Sequence, residues 1–100
     1  MLFEWDPTKS EVTQARRGLN FAFAAQVFDG HTLEWQDRRG DYGETRVIAV
    51  GRVGALHVTV VYTDRLIAGT TVRRIISARL SSRRERHSYD DQTNFAQGSP

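Results

Sequence analysis

The chain has 100 residues, 39% hydrophobic and 26% charged, a composition that suits one folded domain with a core but not a two-lobed enzyme around a deep cleft. It has no cysteine, which excludes disulfides, thiolate metal sites and a thiol nucleophile. The net charge of +2 conceals an asymmetry: residues 1–50 carry six basic and eight acidic side chains, and residues 51–100 carry eight and four.

In chain order, Leu2 to Trp5 reads as a short edge strand. Asp6-Pro7 starts a helix, with Asp at the N-cap and Pro at the first helical position. That helix is expected to run to about Arg17 and stop at Gly18. Its apolar content is thin, so it should pack lightly and expose Lys9. Asn20 caps a second helix whose Phe21, Ala24, Ala25 and Phe28 form a core stripe, ended by Asp29-Gly30. Thr32 to Trp35 is a further short strand, and Gln36 to Gly43 is a polar connection. Three stronger strands are expected over Glu44–Val53, Leu56–Thr63 and Val72–Arg79, with a loop over Asp64–Thr70. Short connections make them an antiparallel meander, covered on one face by the two helices and partly open on the other. Ser82-Arg83-Arg84-Glu85 fits a capping box opening a last helix to about Asp91. The fold class is therefore α+β, one domain over residues 1–91, followed by a polar tail at 92–100 expected to be disordered.

Val72 to Tyr89, taken with Arg65 upstream, holds seven of the fourteen basic residues, and thirteen of the fourteen are arginines. Arginine binds phosphate through a planar fork, although a GC-rich genome produces the same bias. No Ser-His-Asp arrangement or carboxylate pair is legible. The histidines, His31, His57 and His87, lack metal-ligand spacing, and no cofactor is expected. No apolar run approaches a membrane span and no basic signal sequence opens the chain, so a cytoplasmic protein is expected. The remaining set of Arg, Lys, Glu, Tyr and His supports attack of an RNA 2′-hydroxyl on its own 3′-phosphate without a metal.

Arg79 and Arg74 are the best placed charges, but a regular strand sends them to opposite faces unless a bulge intervenes. Alternatively, either could pair with Glu44 or Asp64 across the sheet. Arg83, Arg84 and Arg86 oppose the dipole of the last helix, which suits either RNA binding or a solvated charged face. His57 is a candidate proton shuttle or an outward polar residue. Tyr62 and Tyr89 are candidates to contact RNA or simply to pack. Trp5 and Trp35 read as core anchors.

An ordered series of fragments resembles the BrnT family: F-E-W-D-P-x-K at Phe3 to Lys9, R-G at Arg17-Gly18, and A-A-x-V-F-D at Ala24 to Asp29 open it. Y-G-E-x-R at Tyr42 to Arg46, V-V-Y-T-D-R at Val60 to Arg65, R-I-I-S-A-R at Arg74 to Arg79, and R-R-E-R-x-x-Y at Arg83 to Tyr89 continue it. The resemblance implies the toxin half of a bacterial type II toxin–antitoxin pair, a RelE-like fold, and RNA cleavage that arrests translation. It also implies a BrnA-like antitoxin that neutralises the toxin in a tight complex, a heterotetramer built on an antitoxin dimer, and that alone contacts operator DNA. Matching polar positions are Lys9, Glu44, Arg46, Arg65, Arg74, Arg79, Glu85, Arg86 and Tyr89. Of these, Arg79 with Arg46, Arg65 and Arg74 is expected to hold the scissile phosphate, and Lys9 and Glu44 to serve proton transfer. Arg74, Arg83, Arg86 and Tyr89 are expected to bind RNA.

Two departures stand out. The family's Lys-His-Gly after the first helix is Arg16-Arg17-Gly18 here, with Thr13 where Asn is expected. The loop Asp64–Thr71 also looks longer than in the family. A non-catalytic binding module, or a weakened toxin, is the alternative reading.

Overall fold

A computed structural model describes residues 1–96. They form β1 (Leu2–Glu4), α1 (Pro7–Arg17), α2 (Phe21–Ala25) running on into a 3-10 turn (Gln26–Asp29), β2 (Leu33–Gln36), β3 (Val47–Val53), β4 (Leu56–Ile67), β5 (Thr70–Leu80) and α3 (Arg83–Ala96). Local chemistry sets the helix ends as expected. The Asp6 carboxylate accepts the Thr8 and Lys9 N–H groups at 3.0 and 3.4 Å, and Gly18 turns left-handed at φ 79° to end α1. The Asn20 side chain accepts the Phe23 N–H at 2.8 Å, while buried Ser10 accepts the Phe21 N–H at 3.0 Å and ties α2 to α1. α3 continues beyond the expected end at Asp91, so residues 92–96 of the expected tail are helical and 97–100 lie outside the described residues.

The sheet order is β1-β5-β4-β3-β2. β2 to β5 are antiparallel neighbours, but β1 lies parallel to β5, with Leu2 opposite Val72 and Glu4 opposite Arg74. The expected all-antiparallel sheet is therefore a mixed one among the described residues. Three residues are too few for periodicity to reveal a partner, and this pairing spans about seventy positions of sequence. β3 begins at Val47, which leaves Glu44 to Arg46 in the connection before it. The expected loop over Asp64–Thr70 is mostly strand. β4 and β5 continue to Ile67 and Thr70 around Ala68 and Gly69 at φ 50° and 81°, the two positive dihedrals of a tight hairpin turn.

Phe21, Ala24 and Val27 pack on Val58, Val60, Ile75 and Ala78, all at most 2% exposed. Each large side chain among them contributes about 1.5–3 kcal/mol on burial. The 3-10 turn sits so close to β3 that a Cβ at Gly51 would lie 2.7 Å from Val27 Cβ. Opposite this interface the β4–β5 register shifts: Val61 faces Ser77 and Tyr62 faces Ile75, leaving Ile76 unmatched. This bulge puts Ile75 and Ala78, three apart, on the helix-covered face. It also brings Arg74 and Arg79 to the other face together, where strict alternation would separate them.

Candidate functional site

Charge gathers where the start of α1 meets the face of β4 and β5 that carries Arg65 and Arg74. An open cleft of about 230 Å³ is lined by Asp6, Lys9, Glu44, Arg46, Arg65 and Arg74, with Ile75 and Ile76 beside them. Five residues singled out in the sequence thus meet in one place: Lys9 from the first turn of α1, Glu44 and Arg46 from the connection before β3, Arg65 from β4 and Arg74 from β5. Gly43, at φ 69° with its N–H donated to Asp41 Oδ1 at 3.2 Å, makes the turn that presents Glu44.

The charges alternate along this cleft. Arg74 Nη1 and Arg65 Nη1 lie 3.4 and 3.7 Å from the same oxygen, Glu4 Oε1. Arg65 Nη2 reaches Glu44 Oε1 at 4.0 Å, and Arg46 Nε donates to Glu44 Oε2 at 3.2 Å. The Arg46 guanidinium also lies 4.0 Å above the centre of the Tyr42 ring. Glu4 Oε1 is buried with no hydrogen-bond partner, held by two cations at ionic distance. Contacts of 3.4 to 4.0 Å are too long for good hydrogen bonds, so Arg65 and Arg74 keep N–H groups to offer an oxyanion. Lys9 forms no ion pair among the described residues.

Arg79 shares the face but not the cleft. Its Nη1 and Nη2 donate to Glu85 Oε1 and Oε2 at 2.6 and 2.8 Å. Glu85 Oε1 also accepts from the Ser82 N–H at 2.8 Å, closing the expected capping box, and from the Thr59 hydroxyl at 3.0 Å. With Thr59's proton so used, Ser81 must donate in the 2.7 Å hydroxyl pair between them. The Arg79 hydrogen bonds lead the forces that lower the Glu85 pKa to about 2, against burial, and the same pairing raises that of Arg79. Arg86 Nη1 donates to the Ser81 carbonyl at 3.0 Å, and Arg83 is exposed. Tyr89 is buried, with its hydroxyl donated to the His31 carbonyl at 3.0 Å. His57 pairs through Nε2 with Asp90 Oδ1 at 2.8 Å. Arg17, where the resemblance leads one to expect a histidine, donates to the Ala78 carbonyl at 2.9 Å. It lies eight residues from Lys9, about 12 Å along α1, and does not line the cleft.

Asp64 pairs with Arg73, by hydrogen bonds of 2.8 and 2.9 Å, rather than with Arg74 or Arg79. That guanidinium stacks over Phe28 and Tyr62 on the core face. Burial first, then the 2.6 Å bond to Glu34, pushes the Tyr62 phenol above its ordinary range. Trp35, expected in the core, is 41% exposed.

Three contributors escaped the sequence reading. Glu4 was hidden by the unforeseen pairing of β1. Tyr42 lay in a polar connection with nothing to mark its ring as a guanidinium platform. Arg39 is held by Asp37 through two 2.8 Å hydrogen bonds, which lower the Asp37 pKa to about 2, and its charge opposes that of Arg79. The Asp-x-Arg spacing at 37 and 39 is a local signal that could have found it. Among the described residues no three His, Cys, Asp or Glu side chains form a metal-ligand set, and no helix is long and apolar enough to cross a membrane.

A family model described as the ribonuclease toxin BrnT of a type II toxin–antitoxin system matches residues 5–85. The match covers every residue lining the cleft and leaves out Glu4 behind it. Among curated proteins, no relative matches the chain.

Proposed function

The chain belongs to the BrnT family of ribonuclease toxins of type II toxin–antitoxin systems, and on that premise we propose that the Lys9–Glu44–Arg46–Arg65–Arg74 cleft is where RNA is cut, without a metal. The observation that carries this reading is the convergence of those five side chains, from four separate parts of the chain, on one open face. Glu44 takes the proton of an RNA 2′-hydroxyl. The oxygen attacks the adjacent phosphorus, and the bond to the 5′-oxygen breaks as Lys9 supplies that oxygen with a proton. The products are a 2′,3′-cyclic phosphate and a free 5′-hydroxyl. Arg46, Arg65 and Arg74 balance the charge that develops on the phosphorane oxygens, the largest contribution a fixed site can make. Arg79 acts from the side, with Arg83 and Arg86 at the end of the RNA surface on α3 and buried Tyr89 holding that helix in place.

The family implies an antitoxin partner. A BrnA-like protein is our candidate, forming a heterotetramer on its own dimer, contacting operator DNA itself and covering the cleft with acidic side chains. We place the activity in the cytoplasm and the architecture with RelE-like toxins, since α1 and α2 cover one face of a small sheet and α3 covers only part of the other, leaving the rest for RNA. A second reading draws on a specific observation: Glu44 is already engaged by Arg46 and Arg65, as expected of a module that binds RNA without cutting it.

Purified wild type, Glu44→Gln and Arg65→Ala on a short RNA decide between them. A ribonuclease gives cyclic-phosphate ends, lost by at least about 100-fold in Glu44→Gln while RNA affinity persists. A binder gives no products from any of the three. Arg65→Ala then lowers its affinity and makes the salt dependence shallower.

A further inference from the structure

We propose that the groove between β2 and α3 holds one unpaired nucleobase of the bound RNA, stacked on Trp35; this rests on the RNA reading of the neighbouring cleft. The groove has a volume of about 390 Å³ and is lined by Leu33, Trp35, Ser82, Arg84, Glu85 and Ser88. A large indole 41% exposed on an edge strand is costly to leave in water and is a ready surface for a flat partner. Its chemistry matches that of a base: an apolar floor from Leu33 and Trp35 for the ring face, and hydroxyls of Ser82 and Ser88 with the Arg84 guanidinium for the polar edge.

Register places this groove on the RNA side of the sheet. Trp35 lies opposite Ile48 and Ile48 opposite Val61, a cross-strand row on the face that carries Arg74 and Arg79, and Ile48 follows Arg46 by two residues. Arg39, held by Asp37, projects from the connection that leaves β2. The one carboxylate lining the groove, Glu85, is held by Arg79, Ser82 and Thr59. The exposed Arg84 guanidinium beside an apolar floor favours a base carried on a phosphate chain over an apolar protein side chain.

The test uses short 2′-O-methyl oligoribonucleotides, which cannot be cleaved through the 2′-hydroxyl, with a single abasic position moved along the strand. Trp35→Ala should weaken binding about ten-fold and Trp35→Phe by less, with the salt dependence unchanged. One abasic position should weaken binding to wild type by a similar factor and leave binding to Trp35→Ala unaffected. Folding of each variant is checked by circular dichroism and melting. Trp35→Ala binding as tightly as wild type, or suffering the full abasic penalty, overturns the proposal. In that event loss of affinity in Arg65→Ala still upholds RNA in the cleft. A Trp35→Ala variant weakened toward the antitoxin but not toward RNA overturns it in favour of a protein contact. If wild type binds none of the oligonucleotides, both readings fall.

Discussion

Glu85 joins a strand, a turn and a helix through one carboxylate. It accepts Arg79 from β5, Thr59 from β4 and the Ser82 N–H at the start of α3. Glu85→Ala removes the cap and strands the Arg79 guanidinium, so it should lower unfolding free energy by about 2 kcal/mol, read from urea melts at neutral pH. The pH dependence follows from the folded-state pKa of about 2 against an ordinary 4.5. Stabilisation by the carboxylate is fully present above pH 4.5 and fades as the pH falls toward 2. Glu85→Gln should therefore flatten the loss of stability between pH 5 and 3 relative to wild type. An equal loss in both would assign acid sensitivity elsewhere, with Asp37, also lowered to about 2, the next group to replace.

At the scale of elements, the β4–β5 hairpin carries two departures from regularity with opposite consequences. Ala68 occupies a left-handed position where a Cβ is unfavourable, and Asn is preferred before Gly in such turns. Ala68→Asn should raise stability by about 0.5 kcal/mol, visible as a higher urea midpoint with unchanged slope. The Ile76 bulge is a device of another kind. Deleting Ile76 leaves Arg74 and Arg79 four apart in a regular strand, still on one face, so RNA affinity should survive the deletion in a chain that still folds. Binding to an uncleavable oligonucleotide, beside a melt, measures this. Gly51→Ala should cost about 1–3 kcal/mol through its collision with Val27.

These elements also show what sequence could and could not reveal. The caps at Asp6, Asn20 and Ser82–Glu85 were legible because their chemistry is local. The paired direction of β1 and the slip at Ile76 were not, since both depend on a strand remote in sequence. For the site, residue type and family pattern singled out Lys9, Glu44, Arg46, Arg65 and Arg74. Their shared cleft required the sheet that brings them together, and Glu4 needed it too, whereas Arg39 carried a local signal in its spacing from Asp37.

Over the whole molecule, the core under α1 and α2 lies on one side of the sheet and Arg65, Arg74 and Arg79 lie on the other. The modest net charge of +2 understates the field an RNA chain meets on the arginine side. Affinity for RNA should accordingly fall steeply with salt, by more than the net charge alone implies, and each arginine removed from the cleft should reduce that slope. A titration of binding against potassium concentration for wild type, Arg46→Ala and Arg65→Ala checks it.

The sheet order also has a consequence in time. β1, the first strand to be made, finds its place only beside β5, the last. Glu4 therefore meets Arg74 only after seventy further residues have been added, several seconds of synthesis at ordinary rates. A chain still emerging from the ribosome lacks both the edge for β1 and the arginine that completes the cleft. The cleft is thus incomplete until β5 has been made.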